Sequence, residues 1–123
     1  MFLTYEEYKE IGGTLDIAAF NSKIVRAEAM INNHTKHRLY EFEVLPEEVK
    51  YLCRDLVEYI SHNVVDKAIS SKSQSAGGVS ESVNYIVKSV DDYYNDITML
   101  MADYLGGVKT ERGVPVLYKG AAN

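Results

Sequence analysis

Two histidines, one cysteine and a run of aspartates are the side chains whose types and spacing suggest chemistry in this sequence. His34 and His37 stand three apart, close enough to share a metal on one helical turn, but zinc requires three or four ligands and no Cys lies near them. Cys53 occupies an apolar position of a periodic segment, where a thiol packs as a small hydrophobe rather than serving as a nucleophile. Asp92, Asp96 and Asp103 share one face of a predicted helix. Di-metal sites in helical bundles combine Glu with Glu-x-x-His pairs, and this helix has no such pair, so the aspartates form an acidic stripe rather than a metal site. The sequence has no Gly-x-x-x-x-Gly-Lys, Gly-x-Gly-x-x-Gly, Gly-x-Ser-x-Gly or His-Glu-x-x-His. No metal, no cofactor and no enzymatic activity are therefore expected.

Composition narrows the remaining classes. A chain of 123 residues makes one domain, with room for a single core. Its net charge of -5 argues against a surface that binds phosphate backbones throughout. Basic residues cluster at His34, Lys36, His37 and Arg38, where they suit a solvated helix C-terminus, and Glu41 and Glu43 follow at once. Met1-Phe2-Leu3 runs directly into Tyr5-Glu6-Glu7, without the basic and then apolar order of an export signal. No apolar run approaches the roughly 20 residues of a membrane span. With the lone Cys53, these features place folding in a reducing cytosol. Ten Tyr and no Trp make the aromatic content lopsided.

The elements that must position these residues are mainly helical. Thr4 and Glu7 have the spacing of a capping box, Leu3 and Tyr8 that of a hydrophobic staple, and Gly12-Gly13 stops a helix over 4–11. Thr14 is the expected cap of a second helix, whose apolar face is Ile17, Phe20, Ile24, Ala27 and Ile31 and which runs to about Asn33. Pro46-Glu47-Glu48 restarts a third helix, expected to be the longest, with the stripe Val49, Leu52, Cys53, Leu56, Ile60 and Val64 fading near Ile69. Arg54 and Glu58 are spaced as an i,i+4 ion pair. A Ser/Gly loop over 70–78 precedes an extended segment at 79–87. Ser89 caps a fourth helix whose stripe is Tyr93, Ile97, Leu100, Met101 and Tyr104, and Gly106-Gly107 ends it. The expected fold is all-α, a bundle of about four helices over 1–107 with an extended tail over 108–123.

Several stretches, in this order, resemble the head-tail connector proteins of tailed bacteriophages and prophages, also called head-completion or adaptor proteins. They are Leu3-Thr4-Tyr5-Glu6-Glu7-Tyr8 up to Gly12-Gly13, then Thr35-x-x-Arg38, the Ser/Gly loop with Val79 to Tyr85, and Gly113-Val114-Pro115-Val116-Leu117-Tyr118-Lys119-Gly120. The resemblance implies a structural virion protein at the head-tail interface, assembled in the host cytoplasm. Copies would form a ring, twelve-fold on the portal, that continues the DNA channel and carries a stopper or tail-completion protein. It further implies that Val114, Pro115, Val116, Leu117, Tyr118 and Lys119 grip the portal protein. Ser73, Gln74, Ser75, Gly77 and Gly78 would belong to a loop near the channel or the next component.

Two further expectations come from the residues themselves. If Asp92, Asp96 and Asp103 faced the channel, their charge would let DNA pass without sequence-specific binding. Tyr8, Tyr93 and Tyr104 take core or staple positions, while Tyr40, Tyr85 and Tyr118 fall in irregular segments suited to contacts. The alternative is a small DNA-binding or packaging protein with a helical recognition module, which predicts a helix rich in Lys and Arg. The best-capped helix carries only Asp as charge.

Overall fold

The computed structural model describes residues 2–65 and 86–117. Helix α1 (Tyr5–Glu10) opens on the expected capping box. The Thr4 hydroxyl accepts from the Glu7 N–H at 3.1 Å, and the Glu7 carboxylate accepts from the Thr4 N–H at 3.0 Å. Leu3 and Tyr8 are both buried, as the staple requires. The exit is a Schellman turn, in which the Gly13 N–H reaches the Tyr8 carbonyl at 2.8 Å and the Gly12 N–H reaches Lys9 at 3.2 Å. Gly12 has a φ of 100°, which favours glycine. Gly13 is needed for a different reason: a Cβ there would lie 2.3 Å from the Tyr8 ring.

Helix α2 (Ile17–Thr35) buries the expected face, with Phe20, Ile24, Ala27 and Ile31 in the core. Its cap is Asp16, whose carboxylate accepts from the Ala19 N–H at 2.9 Å, and not the expected Thr14. The Thr14 hydroxyl instead donates to Glu58 at 2.7 Å, so a carboxylate distant in sequence captures the side chain that local spacing assigned to the helix. Lys36 and His37 follow with φ of 53° and 62°, and this left-handed pair leads into a 3-10 turn at Arg38–Glu41.

Helix α3 (Glu47–His62) buries Val49, Leu52, Cys53, Leu56, Val57 and Ile60. Burial pushes the Cys53 thiol far up, so it stays protonated and packs as a hydrophobe. The helix ends before the expected boundary, because Asn63–Val65 forms strand β1. Val64 therefore sits on a strand, and at 16 residues α3 is shorter than the 19 of α2. Strand β2 (Ile86–Lys88) pairs with β1 in parallel, Asn63 beside Ile86 and Val65 beside Lys88. The rest of the expected 79–87 segment, and loop residues Ser73, Gln74, Ser75, Gly77 and Gly78, lie outside the described residues. Helix α4 (Val90–Leu105) is capped by Ser89, which accepts from the Asp92 N–H at 3.2 Å, and buries Tyr93, Ile97, Met101 and Leu105.

Among the described residues the result is a mostly helical fold of four helices with one two-stranded parallel sheet. Helix α3 packs against both α2 and α4. Helix α1 docks on α2 through rings, Tyr8 lying 4.8 Å and Tyr5 5.5 Å from Phe20 between centroids. No described helix is long and apolar enough to cross a membrane. Residues 106–117, which follow α4, do not extend away from the core. It reverses at Gly113, Lys109 bridging Pro115 in antiparallel fashion, and the Val116 N–H bonds the Val108 carbonyl at 3.0 Å. Residues 108–117 therefore belong to the folded body rather than to a separate tail.

The contact at Gly13 sets a test. Gly13→Ala should lower unfolding stability by about 2 kcal/mol in urea denaturation, because the methyl group overlaps a fully buried ring. Gly107→Ala, where a Cβ meets nothing within 4 Å, should change it by no more than about 0.5 kcal/mol.

Candidate functional site

The C-terminal segment nominated by the sequence is partly buried. Val116 is wholly buried, and Val114, Pro115 and Leu117 are half-buried; Tyr118 and Lys119 lie outside the described residues. What seats Val116 is Arg38, whose Nη1 donates to the Val116 carbonyl at 3.0 Å while the residue itself is 8% exposed. The left-handed turn at Lys36 and His37 precedes Arg38 and turns it inward. The expectation of a solvated basic cluster therefore holds for Lys36 and His37, which are exposed, and is corrected for Arg38. On the same hairpin, Arg112 approaches Glu41 at 3.5 Å.

The acidic stripe of α4 is not uniform. Asp103 is exposed and Asp92 half-buried. Asp96 accepts from the Tyr59 hydroxyl at 2.6 Å and from the Lys88 ammonium at 2.9 Å. Burial pushes the Asp96 carboxyl up, but the bonds from Lys88 and Tyr59 outweigh it and hold the group below its ordinary value. The helix itself carries no cation, yet Lys88 one residue before its cap supplies one. A shallow pocket of about 280 Å³ opens here between Tyr59, Asp96, Met99, Leu100 and Asp103. Among the described residues no group of three or more His, Cys, Asp or Glu side chains is placed to hold a metal.

Tyrosine hydroxyls bonded to carboxylates recur at three joints, which the sequence reading missed. The Tyr8 hydroxyl donates to Glu58 and accepts from the Thr14 and Leu15 N–H groups at 3.1 and 2.9 Å. Tyr59 donates to Asp96, and Tyr104 donates to Asp55 at 2.5 Å. Glu58 therefore does not pair with Arg54. That guanidinium instead bonds Asp55 at 2.9 Å and the Ile11 carbonyl at 2.7 Å, tying α3 to the exit of α1. Burial pushes Glu58 up, and the bonds from Tyr8 and Thr14 more than offset this and hold it low. Burial and the Glu58 carboxylate push the Tyr8 phenol up to about 12.

The outward face of α2 is the other feature missed. Its exposed positions are Ile17, Ala18, Asn21, Ser22, Val25, Arg26, Ala29 and Asn33, of which Arg26 alone is charged. Val25 is 71% exposed and Ile17 55%. Arg26 leans over the Tyr93 ring of α4 at 5.6 Å, so its cation is drawn to one side. The signal was present in the sequence, since Ile17, Asn21, Val25, Ala29 and Asn33 recur every fourth residue without a charge. No family model matches the chain, and neither a curated protein nor a solved structure matches it.

Two measurements follow from these joints. Glu58 and Asp96 have folded-state values below their ordinary 4.5 and 3.8. Their contribution to stability is complete above about pH 4.5 and is lost as pH falls through the lowered values. Tyr8 has the opposite sign: its contribution is complete below its ordinary 10 and is lost as pH rises towards about 12. Urea titrations across pH should show both slopes, and Tyr8→Phe should remove part of each. For the hairpin, Val116→Ala should cost about 2 kcal/mol in the same assay. A truncation after Gly107, which removes residues 108–123, should cost more than that single substitution; equal stability of the truncated and full chains would show that the hairpin adds nothing.

Proposed function

We propose that this chain is a structural subunit that assembles side by side with copies of itself into a ring-shaped adaptor between a phage portal and its stopper or tail. The observation that supports this reading is the α2 face. In a chain whose residues are one-quarter charged, a 19-residue helix presents Ile17 and Val25 to solvent with Arg26 as the one charge among its exposed positions. Loss of charge at the centre of a surface marks protein contacts, and a face that meets a different face of the next copy closes a ring. The resemblance in the N-terminal, Thr35-x-x-Arg38 and Gly113 to Gly120 stretches supplies the portal and the stopper or tail-completion protein as neighbours.

The ring continues the DNA channel, and the exposed carboxylate of Asp103 favours passage over retention of a polyanion. A nucleic-acid-binding role has less support, because Arg38 of the basic cluster is directed to the Val116 carbonyl. The portal-gripping segment of this reading is narrowed to the half-buried Val114, Pro115 and Leu117 with Tyr118 and Lys119.

Light scattering and negative-stain imaging of the purified protein, with and without a portal, test the assembly. Val25→Asp should abolish rings while changing unfolding stability by less than about 0.5 kcal/mol, since the side chain is exposed. A wild-type chain that stays monomeric and ignores the portal would overturn the reading, as would rings unaffected by Val25→Asp.

A further inference from the structure

An open groove of about 630 Å³ runs between α1 and the segment leading into α3. Its apolar lining is Phe2, Ile11, Val44, Leu45 and Tyr51. Val44 is 82% exposed, the highest value among the exposed large hydrophobic residues of the described chain. The polar lining includes Glu7, Glu10, Glu47 and Lys50. Lys50 is taken by Glu7, with which it forms an ion pair. Glu10 and Glu47 are left without a cation among the described residues.

A trough lined by apolar and polar side chains in similar measure, and edged by carboxylates that meet no cation among the described residues, discriminates by charge. It repels phosphate backbones, anionic lipid surfaces and acidic peptides, and it attracts a chain that brings apolar side chains with cations beside them. Its volume falls within the range of about 300–1,000 Å³ typical of ligand pockets and suits a few side chains of an extended peptide. We infer that this groove docks a short extended segment of a partner protein in which apolar residues are flanked by Lys or Arg. The apolar side chains cover Val44 and Tyr51, and the flanking cations meet Glu10 and Glu47. The inference goes beyond the ring reading and does not depend on it, because it concerns peptide capture by residues outside the α2 face.

The probe is an acetylated peptide, Lys-Val-Leu-Tyr-Lys, titrated into the isotope-labelled full chain and followed by amide shifts. Its acidic counterpart, Glu-Val-Leu-Tyr-Glu, is the control. The lysine peptide should give saturable shifts at Ile11, Val44 and Tyr51 that weaken with added salt, and the acidic peptide should give none. Glu10→Lys with Glu47→Lys should weaken binding at least tenfold. Glu10→Lys alone keeps the test readable if the pair disturbs folding, because a cation in the last turn of α1 is favoured by the helix dipole. Any of four results would overturn the proposal: no saturable shifts, shifts away from the groove, equal response to both peptides, or binding indifferent to the substitutions. Shifts at Val44 and Tyr51 that grow with protein concentration alone would assign the groove to a second copy and overturn it too.

Discussion

Glu58 lies where three parts of the chain meet, accepting from the Tyr8 hydroxyl and from both the backbone and the hydroxyl of Thr14. Much of the N-terminal structure depends on that carboxylate. Helix α1 has six residues, far below the length at which a helix is stable by itself in water, so tertiary contacts must hold it. Tyr8 provides them by placing its ring against Phe20, leaving no room for a side chain at residue 13, and reaching Glu58 with its hydroxyl. The same joint recurs between Tyr59 and Asp96 and between Tyr104 and Asp55. In each case α3 supplies one partner, so the central helix is bolted to α1 once and to α4 twice. Tyrosine suits this position because its ring buries apolar area while its hydroxyl satisfies a partly buried acid.

These internal bonds also shape the surface. The aspartates of α4 looked like one unbalanced stripe, but Asp96 is drawn into the joint with Tyr59 and Lys88, which leaves Asp103 as the exposed member. Arg38 is likewise withdrawn to hold the Val116 carbonyl. The outward features are then an α2 face nearly without charge and a groove whose outer carboxylates have no cation among the described residues. Both are suited to protein contact. Their chemistry differs, since one suits a neutral helical surface and the other a basic segment.

Features carried by adjacent residues are legible in the sequence. The Thr4 and Glu7 capping box, the Ser89 cap, the stop at Gly12-Gly13 and the burial of Cys53 within its stripe all depend on spacings of a few residues. Two of the errors share one cause. Thr14 was expected to cap α2 and Arg54 to pair with Glu58, because those partners were near in sequence. In the fold Thr14 and Glu58 bond each other, and Arg54 takes the Ile11 carbonyl. The α2 face was visible as a four-residue period, but without knowing which side of the helix faced inward its lack of charge had no meaning.

The sequence by itself determined the four described helices, the caps of α1 and α4 and most of the buried stripes, because a 3.6-residue period and a capping residue act within one or two turns. Only the tertiary structure decided which acid each tyrosine meets and where the chain after Gly107 goes. Tyr8 and Glu58 are 50 residues apart, and Arg38 and Val116 are 78 apart. At such separations many polar side chains compete for each partner, and the packing of apolar stripes selects among them by bringing one pair within hydrogen-bonding distance and keeping the others out of reach.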